Sequence, residues 1–217
     1  MSRFVTMTEV TRVYGGVSAG ERRNERREKL LAAAFELLAD QGTQALTIRK
    51  IAAAAGVSPR YVYEDFTDLE DLRCQAFDSA AEEVGGFAVD AAASVPSGDT
   101  RAQLTAVIGA LLDFTETQPA KARLLLTDSF GDPALAARRL KMGEIFARGF
   151  SFYVASYVEG VPPATVDICA RAVVGSVSEI ATAWVSGSLD YDKQTLLEVQ
   201  VEVVLGAINA ISSASTS

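Results

Sequence analysis

The stretch from residue 46 to 66, LTIRKIAAAAGVSPRYVYEDF, leaves the backbone few choices. Ile51, Ala52 and Ala55 recur at spacings of one, three and four, and Gly56 follows where a helix usually ends in a left-handed residue. Val57 can plug the angle between two helices. Ser58 is a good N-cap acceptor, and Pro59 falls at the first helical position, where its missing N–H costs nothing. Two short helices joined by a tight turn are the consequence. On the second, Val62 and Phe66 lie four apart and face a small core, which leaves Arg60, Tyr61 and Glu64 pointing outward. Thr47 is placed to cap the first helix. Arg49 and Lys50 lie near its start, where side chains and backbone N–H groups commonly hold a phosphate. A helix-turn-helix of this layout fits a DNA groove.

Around this motif the pattern stays helical. Leu30, Leu31, Ala34, Phe35, Leu37 and Leu38 predict a helix from about Glu25 to Gln41, ended by Gly42. Residues 1–20 show little periodicity and hold Gly15, Gly16 and Gly20, so they read as a flexible arm; Arg22, Arg23 and Arg26 could extend it along a phosphate backbone or into a minor groove. Thr67-Asp68-Leu69-Glu70 reads as a capping box with Thr67 as N-cap. It opens a long helix through Phe77 and Val84 toward Ala93, with Gly85-Gly86 as a soft point. Beyond Pro96, breaks at Ser97-Gly98-Asp99, Gln118-Pro119, Gly131-Asp132-Pro133, Gly160 to Pro163 and Gly187 to Asp192 separate apolar-periodic segments. The expected fold is all-α: a three-helix DNA-binding head over residues 21–67, then a helical bundle over 68–217 for ligand binding and dimerisation.

Of 217 residues, 49% are apolar and 22% charged, which argues against disorder. No stretch reads as approaching the run of about 20 apolar residues that a bilayer requires, and the N-terminal sequence lacks an apolar signal core, so a cytoplasmic protein without a membrane partner is expected. Cys74 and Cys169, far apart and outside any CxxC, read as reduced, buried thiols. The chain has no histidine. That removes histidine general bases, Ser/His triads and most zinc sites; with no phosphate-cradling Gly-rich loop after a strand and no paired acids on a shared apolar face either, no catalytic residue, metal or cofactor is expected, and an all-helical enzyme is the minor rival. The net charge of −8 is divided unevenly: residues 1–63 carry ten Lys/Arg against six acids, a net of +4, leaving −12 for the rest. One end suited to a polyanion and a body repelled by it would orient the protein on approach. The plainer alternative is that Glu21-Arg22-Arg23-Asn24-Glu25-Arg26-Arg27 decorates a solvated helix.

Arg27, Leu30, Ala33, Ala34, Leu38 and Gly42, then Thr47, Ile51, Ala52, Ala55-Gly56-Val57-Ser58, Tyr63, Phe66 and Leu72, resemble the N-terminal signature of the TetR family of transcriptional regulators. The resemblance is dense over residues 25–75 and looser over the remaining length. It implies a second helix in the major groove, a first helix supporting it on the backbone, and a homodimer that sets two such units on a palindromic operator. By position it gives Thr47, Arg49 and Tyr63 to phosphates and Pro59, Arg60 and Tyr61 to bases, with Lys50 and Ser58 beside them. Leu69 departs from the pattern, standing where the family often has a lysine.

The last two helical segments hold apolar residues on more than one face: Val173, Val177, Ile180 and Trp184 in one, Leu197, Val201, Val204, Leu205 and Ile208 in the other. Helices apolar around so much of their circumference need more than one neighbour. Pairing with a second copy and burial in the chain's own core both satisfy that need, and the resemblance implies the former. It also implies a pocket for a small, largely apolar effector, for which Phe77, Phe114, Phe130, Met142, Phe146, Phe150, Tyr153 and Trp184 are candidates; a simple core is the alternative for each. Effector binding would shift the fourth helix and change the separation of two heads set about 34 Å apart. The expected function is thus a homodimeric repressor released from DNA by a ligand. A ligand-sensing or protein-binding helical module with weakened DNA binding is the alternative, made thinkable by Leu69, Glu64 and Asp65.

Overall fold

The computed structural model describes residues 19–42, 46–158 and 160–214. Among them the chain forms nine α-helices and no strand: α1 (Ala19–Gln41), α2 (Ile48–Ala54), α3 (Pro59–Asp65), α4 (Leu69–Ala93), α5 (Thr100–Thr117), α6 (Pro119–Leu126), α7 (Pro133–Ala155), α8 (Pro163–Val185) and α9 (Lys193–Ala214). A single 3-10 turn, Asp128–Gly131, joins α6 to α7. The expected arm lies mostly outside the described residues.

Local chemistry explains most boundaries. Gly42, Gly56 and Gly187 end α1, α2 and α8 with positive φ, as a left-handed C-terminal residue demands. Asp132 accepts from the N–H groups of Ala134 and Leu135 to cap α7, with Pro133 at its first position. Two expectations shift. The first helix starts at Ala19 rather than near Glu25, because charged residues without apolar periodicity are held helical by contacts made far away in sequence. The cap of α4 is Asp68, not Thr67: Asp68 Oδ1 accepts from the Asp71 N–H at 2.8 Å, while Asp71 Oδ2 reaches back to the Thr67 N–H at 2.9 Å. The box is displaced by one residue and built from two aspartates. As expected, α4 is one long helix, and it continues through Gly85 and Gly86 to Ala93.

Two hydrophobic cores hold the helices. The first joins Leu30, Leu38, Ile51, Val62 and Phe66 of the three N-terminal helices to Leu72 and Phe77 of α4, Phe114 of α5, Leu124 of α6 and Leu135 of α7. Arg123 of α6 donates to the carbonyls of Leu38 and Ala39 at 3.1 and 3.2 Å, closing the C-terminal end of α1. The second core lies among α5, α7, α8 and α9, around Leu104, Ile108, Val154, Val173, Leu196 and Val204. Cys74 and Cys169 are free and buried, and burial pushes both thiols up.

The aromatic candidates for a pocket are divided between these cores rather than gathered round one chamber. Phe77 and Phe114 are enclosed in the first, with Met142 and Phe146 packed at its margin. Phe150, Tyr153 and Trp184 pack against the second. Phe130 is exposed, its ring 3.9 Å from the Arg139 guanidinium. The spacing of aromatics along α7 carried no information on which neighbour each would meet.

The register of α8 and α9 also differs from expectation. Val173, Val201, Val204 and Ile208 are buried in the chain's own core, so their side chains are not available to a partner. Val177, Ile180, Trp184, Leu197 and Leu205 are half-buried against it. The apolar residues left in solvent are Ile168, Val199 and Val203, with Ala172, Gly175, Gly206 and Ala210 beside them. Both helices are long and apolar enough, by length and composition, to cross a membrane, and only 11% and 28% of their apolar windows are buried. Averaged hydropathy reaches that level although scattered Ser, Thr and Glu residues interrupt any pure apolar run.

Candidate nucleic-acid interface

The helix pair forms as its caps dictate. Thr47 Oγ1 accepts from the Lys50 N–H at 3.3 Å to cap α2, leaving its own hydroxyl proton to donate elsewhere. Ser58 stands at the N-cap of α3, but its hydroxyl accepts nothing from the helix; the Tyr61 N–H bonds the Ser58 main-chain carbonyl instead, at 3.0 Å. The Ser58 side chain is therefore spare. Val57 packs against the head core, and Val62 and Phe66 are 0% and 2% exposed. These apolar anchors turn the opposite side of α3 outward: the Arg60 side chain is 86% exposed, Tyr61 44% and Tyr63 61%. Arg49 and Lys50 are exposed near the start of α2, and Lys50 Nζ donates to Gln41 Oε1 at 2.8 Å. The whole sequence-selected set, Thr47, Arg49, Lys50, Ser58, Pro59, Arg60, Tyr61 and Tyr63, lies at the start of α2 and along α3.

Two acids beside this surface behave differently from each other. Glu64 stays near the surface, its carboxylate 3.5 Å from Arg60 Nε and 3.5 Å from Arg26 Nη2. Asp65 turns inward, and its side chain has no solvent exposure. It accepts from Arg23 Nε at 2.9 Å, from Arg26 Nε at 2.6 Å and from Arg26 Nη2 at 3.0 Å. Burial alone pushes this carboxyl up; the hydrogen bonds from Arg26 and Arg23 outweigh that and hold it below the ordinary aspartate value. Arg23 also donates to the Glu64 carbonyl at 3.0 Å, at the C-terminal end of α3. The Arg26 guanidinium lies 4.9 Å from the centre of the Tyr61 ring. Arg23 and Arg26 are thus both engaged by Asp65, Arg26 largely covered and Arg23 still open to solvent on one side.

At the start of α4, Leu69 packs against the head core where a lysine was looked for. Asp68, Glu70 and Asp71 fill that helix terminus with negative charge, which stabilises it internally. Sequence reasoning noticed Asp65 as a nearby acid but missed its partners, since 39 and 42 residues separate it from Arg26 and Arg23.

Residues 30–73 match the family model described as bacterial regulatory proteins of the tetR family. The head of the chain thus carries a TetR-type helix-turn-helix. It is similar to the HTH-type transcriptional activator FasR of Mycolicibacterium smegmatis, with 25% identity over 202 residues, 92% of this chain and 91% of that protein. Among solved structures it resembles the multidrug binding protein EbrR in complex with imidazole, at 26% identity and a TM-score of 0.64, covering 84% of this chain and 94% of that one. A TetR-family regulator from Streptomyces coelicolor aligns with a TM-score of 0.67 at 22% identity, over 88% and 83% of the two chains. The matched segment is the helix-turn-helix of such regulators, and the exposed face of α3 is the surface it offers.

Proposed function

We propose that this chain is a TetR-family transcriptional regulator that acts as a homodimer on a palindromic operator, with residues 21–67 as the reading head and 68–217 as the ligand-binding and dimerising body. The observation that carries the reading is the outward face of α3, where Arg60, Tyr61 and Tyr63 project from a helix fixed by buried Val62 and Phe66. Arg60, Tyr61 and Pro59 meet bases; Thr47, Arg49, Lys50, Ser58 and Tyr63 meet phosphates.

Dimerisation is supported by the apolar face of α8 and α9. Ile168, Cys169 and Ala172 of α8 and Ala207, Ala210 and Ile211 of α9 line an open groove of about 350 Å³ between the two helices. A second copy related by a twofold axis closes this face and leaves no apolar helix in water.

The effector is a small, largely apolar molecule, a reading supported by the resemblance to a multidrug binding protein. Its polar anchors fit the second core. There Tyr153 and Tyr157 both donate to Gln103 Oε1 at 2.9 Å, and the buried amide of Gln200 has no hydrogen-bond partner among the described residues. We read the bound state as repressive, by occlusion of a promoter; the FasR likeness makes activation the second reading.

Enrichment of duplexes from a random library by the full-length protein, with footprinting on the recovered sequence, tests the proposal. The expected product is an inverted repeat, protected over two successive major grooves. Arg60→Ala should relax base preference by about 1–3 kcal/mol at one position, whereas Tyr63→Phe should weaken all duplexes alike. A wild-type protein that enriches no sequence refutes the reading. A reporter driven from the recovered site decides between repression and activation.

A further inference from the structure

The cluster of Arg23, Arg26, Glu64 and Asp65 is larger than the support of one short helix requires. A buried carboxylate needs compensation, and one well-placed arginine supplies it. Asp65 takes two, and both belong to the N-terminal part of α1, beside the helix that faces the duplex. Left unpaired, two such guanidinia would seek phosphates, which bind any sequence equally well. Held by Asp65, they do something else. Arg26 lies against the ring of Tyr61 and within 3.5 Å of Glu64, and Glu64 in turn lies 3.5 Å from Arg60. A continuous line of contacts therefore runs from a fully buried acid to Tyr61 and Arg60, two of the three residues assigned to bases.

We propose that Asp65 is a positioning residue for DNA readout: it withdraws Arg23 and Arg26 from the phosphate backbone and, through Arg26, fixes Tyr61 and Arg60 in the orientation that discriminates bases. The inference rests on the reading of α3 as the groove-facing helix. Its consequence runs against the ordinary effect of damaging an interface. Removing the acid makes a protein that holds DNA more firmly and chooses less well.

The test uses full-length wild type and Asp65→Asn, titrated on the duplex enriched by wild type and on the unselected library across a salt series. In Asp65→Asn, affinity for the library should rise, and the slope of log K against log salt should steepen by about one to two, as roughly 0.9 accompanies each phosphate engaged. The ratio of enriched to library affinity should fall by about tenfold, which corresponds to about 1.4 kcal/mol of lost discrimination. An unchanged ratio and slope overturn the proposal, as does a parallel loss of both affinities, which marks a merely structural ion pair. Arg26→Gln carries the test if Asp65→Asn loses its helical signal, because Arg23 still neutralises the acid. In that variant the ratio should fall without a steeper slope, and an unchanged ratio overturns the proposal. If wild type enriches one duplex and these variants do not alter the ratio, the positioning role alone fails; if wild type enriches none, both readings fail.

Discussion

At the N-terminal end of the chain, Leu30, Ile51, Val62 and Phe66 are enclosed, and the face left to solvent carries guanidinium and phenol groups. At the α8–α9 end the arrangement is reversed: polar Gln200 is buried while Val199 and Val203 are 58% and 52% exposed. The first end finishes its own core and presents chemistry suited to a polyanion. The second leaves apolar surface uncovered, the face that the proposed dimer closes. In the proposed function, two contacts of opposite kind, one electrostatic and salt-sensitive, the other apolar and salt-tolerant, are thereby kept on separate parts of one chain.

The contrast breaks most visibly at Val203. A carboxylate from Val203→Glu, buried twice by twofold symmetry, costs about 3–5 kcal/mol per copy. Sedimentation should then give monomers, and the enriched duplex should be lost while helical content persists. A variant that stays dimeric breaks the assignment of this face. Next comes Phe66→Ala, which should remove about 3–5 kcal/mol from the first core. Thermal melts should show that loss, with DNA binding abolished but association through α8 and α9 retained. Loss of the dimer in this variant would mean that the two ends are not separable.

A smaller effect concerns pH. The Asp65 carboxyl is held below its ordinary value of 3.8 in the folded protein, so its stabilising contribution is fully present above that value and fades as pH falls through the lower, folded-state value. Melts carried into the acid range should show the wild-type head losing stability along a limb that is flatter in Asp65→Asn. Equal acid limbs would remove Asp65 from the account of head stability. Smallest is Gly56→Ala. The added methyl meets open space, so only the left-handed backbone at φ +68 opposes it, for about 1–2 kcal/mol by urea midpoint.

The sequence disclosed what local chemistry decides. Gly56, Pro59 and the Val62–Phe66 spacing located the turn and the exposed face of α3, because each acts within one helical turn of itself. Long-range pairing was hidden. Nothing near Asp65 in the chain announces Arg23 and Arg26, and the first turns of α1 looked like an unstructured approach because their stabilising partner lies in another helix. Apolar periodicity on α9 showed that two faces needed cover without saying which belonged to the chain itself: Val201, Val204 and Ile208 went inward, and Val199 and Val203 outward. Aromatic residues of α7 carried the same ambiguity, and Phe152, 83% exposed, shows how little their identity alone decides.

Arg123 sits in α6 yet terminates α1, and the packing beneath it runs from Leu30 to Leu135 without a break. The N-terminal head is for this reason not a portable cartridge. A fragment cut after residue 67 would strip the cover from Leu38 and leave two terminal carbonyls bare. A chimera that grafts these three helices onto a foreign sensor inherits its grip only if the recipient brings an equivalent arginine and the apolar seat around it.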